Sequence, residues 1–110
     1  MIVHSVPALA AAAVSANPSR PATTLIHDSA DARVVVFRLD PGQQVPVHTS
    51  ASTVLLTVIT GSGVVTGAGE DHEVSAGDII AYGAGEPHGM RAMAGQLVIA
   101  AVIAPRPGGH

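Results

Sequence analysis

From Thr23 to Ala104 the chain consists of short runs rich in valine, isoleucine and threonine, and glycine or proline closes nearly every one. ARVVVFRL (32–39) is ended by Asp40, Pro41 and Gly42; QVPVH (44–48) and TVLLTVIT (53–60) follow, the latter ended by GSG. VVT (64–66) and HEVS (72–75) flank the glycine-rich turn GAGED, DIIAY (78–82) leads into the loop GAGEPH (83–88), and QLVIAAVIA (96–104) is the last run. β-branched residues suit a pleated backbone, which glycine and proline interrupt. Seven or eight such strands predict an all-β sandwich or barrel.

Ahead of them, residues 8–16 are mostly alanine, the best helix former, and predict about two helical turns stopped by NPSRP (17–21). PALAAAAVSA resembles the apolar part of a signal peptide, but no Lys or Arg precedes it. The segment therefore reads as a short helix, and the expected location is cytoplasmic. A chain of 110 residues makes one domain, with the helix and lead-in at 1–31, the barrel at 32–104 and a tail at 105–110. That tail, PRPGGH, has nothing evident to pack against and is expected to be disordered.

Several function classes drop out on composition. There is no lysine, the five arginines (20, 33, 38, 91 and 106) are scattered and the net charge is −3, which is no nucleic-acid footprint. The absence of cysteine removes disulfides, thiolate catalysis and zinc-thiolate sites. No apolar run approaches the ~20 residues of a membrane span. Charged residues are only 12% of the chain, about half the usual share. ARVVVFRL and QLVIAAVIA are apolar on both faces; a barrel this small covers only the inner one, so a homodimer is expected to cover the other.

Strand parity decides which side chains meet, since residues two apart share a face. In TVLLTVIT one face carries Val54, Leu56 and Val58, wholly apolar and so the inner one, while the other carries Thr53, Leu55, Thr57 and Ile59. If His48 points inward, so does Ser50. Phe37 and Tyr82 are the only aromatics, too few for an aromatic cage, and Met90, two residues after His88, is expected in the pocket wall.

The order Gly42, His48, Gly61, then Gly77, Asp78, Gly85 and His88 resembles the two motifs of the cupin superfamily. The first is glycine, five residues, His-x-His, three or four residues, Glu, six residues, Gly. Gly42, His48 and Gly61 fit it, Ser50 stands at the second histidine and Val54 at the glutamate. The second is glycine, five residues, Pro-x-Gly, two residues, His, three residues, Asn. Gly77, Gly85 and His88 fit it, while Gly83 replaces the proline and Ala92 the asparagine. The resemblance spans about residues 33–103, and the lead-in NPSRPATTLIH is similar to that of small bacterial single-domain cupins. It implies a jelly-roll β-barrel, also called a double-stranded β-helix, behind a short N-terminal helix.

Cupins that hold Zn, Ni, Mn or Fe generally use both histidines of the first motif, its glutamate and the histidine of the second. Here His48 and His88 remain; a serine hydroxyl is a poor ligand and valine is none, so a 2-His-1-carboxylate triad cannot be assembled from the motif positions. A third ligand would have to be His72, which shares a face with Val74, or Glu86, two residues before His88. The plainer readings are a hydrogen-bonded pair of buried histidines, a surface His72 and a solvated Glu86. Three functions stay open. One is a barrel binding a small molecule, or weakly a divalent metal, in a pocket of His48, Ser50, Val54, His88 and Met90. The second is a metal-dependent cupin enzyme of dioxygenase or isomerase type, and the third is a structural or interaction barrel.

Overall fold

A computed structural model describes residues 1–107. One helix, α1 (Val6–Ala12), precedes seven strands: β1 (Ala22–Asp28), β2 (Arg33–Leu39), β3 (Gln44–His48), β4 (Thr53–Gly67), β5 (Glu70–Ser75), β6 (Ile79–Tyr82) and β7 (His88–Ala104). All pairings are antiparallel, the main order is β1-β2-β7-β4-β5, and β3 and β6 attach to β7 and β4 respectively.

Two long strands make this a jelly roll. The first half of β4 pairs with β6 and with the end of β7, whereas its second half pairs with β5 and with the start of β7. Between the halves the β4/β7 register shifts at Val58/Thr60 and again at Gly61/Gly63. Such shifts bend a strand without ending it, so TVLLTVIT and VVT, separate runs by sequence, are one strand through GSG. Gly61 has φ +79°, and a Cβ there would overlap the Gln96 carbonyl oxygen. The last strand is also longer than its β-branched run implied. It starts at His88, because His88, Met90 and Arg91 are ladder partners of both β3 and β4 despite a local composition with little strand preference.

The inner face assigned by parity is the inner face observed: Val54, Leu56 and Val58 are buried, and Leu39, Leu97 and Ile99 complete the centre of the core. A second cluster lies on the outside of the sheet, where Ala10 of α1 packs on Val36 and Val98, with Val6, Ile26 and Ile59 around them. The chain's own helix therefore covers part of the outer face that a second subunit was expected to cover.

That helix begins two residues earlier and ends four earlier than alanine content alone suggested. Ser5 caps it by accepting from the Ala8 N–H, Pro7 sits in the first turn, and Arg38 Nη1 donates to the carbonyls of Ala10 and Ala13 at 2.7 and 2.9 Å. Seven residues make a marginal helix in isolation, so its position rests on these tertiary bonds.

The expectation of a free tail fails at its first two residues. Ser52 Oγ donates to the Pro105 carbonyl at 2.6 Å, and Arg106 forms a two-pronged pair with Asp28, Nε to Oδ1 at 2.9 Å and Nη2 to Oδ2 at 3.2 Å. Residues 108–110 lie outside the described residues. Among the described residues no helix is long and apolar enough to cross a membrane.

Candidate functional site

The barrel holds a half-open cavity of about 500 Å³, and the five expected pocket residues, His48, Ser50, Val54, His88 and Met90, all line it. Most of the remaining wall is apolar, with Phe37, Leu56 and Ile103 inside and Pro105, Arg106 and Pro107 also contributing. Phe37 was legible from parity, since it shares the inner face with Leu39. Ser52 and Arg106 carried no local signal; they reach the cavity through the contacts to Pro105 and Asp28.

Register brings the two histidines together. His48 and His88 are direct partners across β3 and β7, and their ring centroids lie 4.2 Å apart at an interplanar angle of 61°. Gly89 allows that closeness: a Cβ there would come within 3.0 Å of Val47 Cγ2 and 3.1 Å of the Val45 carbonyl oxygen. On the other side of β7, Gly67 is the ladder partner of His88, and a Cβ at Gly67 would meet Tyr82 Cε1 at 2.9 Å. The bare glycine leaves room for the Tyr82 ring, whose centroid is 5.1 Å from that of His88. Burial, and then the negative charge of Glu86, pushes the Tyr82 phenol up from its ordinary value, and the protonated hydroxyl donates to the Thr66 carbonyl at 2.9 Å.

Each imidazole has one nitrogen anchored. His48 Nδ1 is 2.9 Å from the Pro46 carbonyl oxygen and His88 Nδ1 is 3.0 Å from that of Glu86. A carbonyl oxygen only accepts, so Nδ1 carries the proton in both rings and Nε2 of the neutral ring presents a lone pair. The histidines thus bond neither to each other nor to Ser50, whose Oγ accepts from the Ser52 N–H.

Neither proposed third ligand joins them. His72 does face the same way as Val65, its ladder partner, but β5 is the last strand of the main order and leaves it exposed, with Nδ1 bonded to the Glu73 carbonyl at 2.8 Å. Glu86 turns its carboxylate onto the Gly83 N–H at 3.1 Å and serves His88 through its backbone carbonyl instead. Both residues line a separate groove, together with Tyr82. In that groove Asp71 is held below its ordinary carboxylate value by hydrogen bonds from Arg91 and Thr66.

A cupin-domain family model matches residues 35–103, most of the barrel. The chain belongs to the cupin family. Among solved structures this cupin resembles a protein of Thermus thermophilus (28% identity, TM-score 0.86, covering 97% of this chain and 100% of that one). It is also similar to an uncharacterised protein with a double-stranded β-helix domain from Klebsiella pneumoniae (25% identity, TM-score 0.83, covering 98% and 92%). A third neighbour, from Thermotoga maritima, is described as a predicted oxalate decarboxylase (25% identity, TM-score 0.73, covering 77% and 80%). No curated protein matches the sequence.

Cupins often bind metals, and the donor set of this one does not fit a tightly held divalent ion. Among the described residues no three His, Asp, Glu or Cys side chains cluster closely enough to hold one. Two neutral imidazoles supply half of a tetrahedral shell and no compensating charge.

Proposed function

We propose that this cupin binds a small, largely apolar molecule inside its barrel. The observation that carries the reading is the cavity: about 500 Å³, walled mainly by apolar side chains, with the polar atoms of His48, Ser50 and His88 gathered on its lining. Ligand sites commonly take this form, at roughly 300–1,000 Å³ with a few convergent polar groups. The alternative is a metal-dependent enzyme of dioxygenase or isomerase type. In its favour both imidazoles have Nδ1 tied to a backbone carbonyl, as metal-binding histidines usually do.

Elemental analysis separates the two. The purified protein is expected to retain well below one Zn, Ni, Mn or Fe per chain after dialysis, because waters completing a two-histidine shell dissociate freely. Stoichiometric, tightly held metal would favour the enzyme reading.

The same reading takes the protein as a homodimer. The outer face of β4 and β6 leaves Leu55 38% and Ile79 69% exposed, and α1 does not extend to them. Their ladder partners there, Ala81, Val102 and Thr57, and Ala100 beside Thr57, are all uncharged, so a second copy of the same strip is a chemically matched cover. Light scattering at tens of micromolar is expected to give the mass of two chains, and Ile79→Glu the mass of one. A monomeric wild-type mass removes this part of the reading.

A further inference from the structure

His88 is 7% exposed, its Nδ1 is satisfied by the Glu86 carbonyl, and its Nε2 has no hydrogen-bond partner among the described residues. His48, its ladder partner, is exposed but bonded in the same way, with Nδ1 on the Pro46 carbonyl and no partner for Nε2 among the described residues. Both residues line the cavity. The site therefore presents two acceptors side by side and has no donor bonded to them.

Of the other polar groups of the wall, Ser52 spends its hydroxyl on the Pro105 carbonyl, Arg106 pairs with Asp28, which Arg33 also shares, and Ser50 Oγ accepts from the Ser52 N–H while its own proton stays free to donate. Two adjacent lone pairs in an apolar chamber attract a hydrogen-bond donor and repel a carboxylate. They give nothing to a hydrocarbon.

We propose that the cavity selects an uncharged apolar molecule bearing a hydroxyl group, an alcohol or a phenol, with its one O–H proton shared between the Nε2 atoms of His48 and His88 in a three-centre hydrogen bond. The inference rests on the small-molecule reading above and narrows it to one ligand class. A metal is not required, and the polarity of recognition is set by the two backbone carbonyls that fix the tautomers.

Three probes of one shape test it by calorimetry at about pH 8, where imidazole is neutral: p-cresol, p-xylene, in which a methyl replaces the hydroxyl, and p-toluate. The expected result is that p-cresol binds about tenfold or more tightly than p-xylene, since the hydrocarbon leaves the acceptors unpaired, and that p-toluate binds weakest. The preference should fall towards unity in His88→Leu and in His48→Leu; His48 is exposed, so its variant remains informative if His88→Leu does not fold. In ¹⁵N spectra of the wild type, p-cresol should shift the Nε2 signals and p-xylene should not. Equal binding of p-cresol and p-xylene would overturn the donor inference while leaving an apolar binding cavity in place. Tightest binding of p-toluate, or a preference that survives both variants, would overturn it as well. If none of the three binds, the small-molecule reading falls with it.

Discussion

Ser50→His and Val54→Glu introduced together raise the affinity of the barrel for Zn²⁺, Ni²⁺ or Mn²⁺ by orders of magnitude. Both positions line the cavity that holds His48 and His88, so the double variant places three imidazoles and one carboxylate around the same space. Each added ligand replaces a water that contributes no charge, and the carboxylate supplies the anion that a divalent ion otherwise lacks. The change has a cost when no metal is present. Val54 is 3% exposed, and an unpaired carboxylate there costs several kcal/mol or must take up a proton. The metal-free variant should accordingly melt below the wild type and recover on metal addition, because an ion that binds only the folded state stabilises it by mass action. An affinity within about tenfold of the unmodified protein would show that the two positions do not converge with the histidines.

Gly61→Ala is expected to destabilise the barrel by about 3–5 kcal/mol, near the upper end for a single substitution. The left-handed backbone at φ +79° accounts for about 1–2 kcal/mol of that with any L side chain. The remainder comes from the Gln96 carbonyl, which occupies the space of the new methyl group at the bend where β4 passes from one half of the roll to the other. Gly42→Ala is the matched control. Gly42 has φ +81°, yet a Cβ there meets nothing within 4 Å, so only the backbone component of about 1–2 kcal/mol is expected. Denaturant titration of the two variants isolates the steric part; equal losses would mean that the strands part at no cost.

These glycines also explain why the fold was readable from the sequence. Gly42, Gly61, Gly77 and Gly85, which carry the resemblance, have φ of 81, 79, 98 and 81°. Their spacing records backbone conformations that β-carbon-bearing residues rarely adopt, and such a constraint is written locally. The pocket residues His48, Ser50, Val54, His88 and Met90 followed from the same register. What escaped depends on partners far along the chain. The start of β7 is a strand because β3 and β4 flank it, not because GMRAM favours one. Pro105 and Arg106 are held by Ser52 and Asp28, 53 and 78 residues away. His72 faces the same way as Val65 but is exposed at the end of the main strand order, in line with the plainer reading of it as a surface residue. Glu86 was judged by its carboxylate, while the atom that bears on His88 is its carbonyl oxygen.

The strand that comes last along the chain is the middle one in space. β7 lies between β2 and β4 in the main order and also receives β3. While the chain is being synthesised, β1 can pair with β2 and β4 with β5 and β6, but these pieces have no common neighbour until residues 88–104 are available. Until then the nascent polypeptide displays two open edges, on β2 and β4, next to uncovered valine and leucine, a state open to aggregation and to chaperones. His88, Met90 and Arg106 arrive with or after that final segment. The cavity is therefore incomplete until residues 88–104 have been made, and nothing bound in it could help the chain to fold before then.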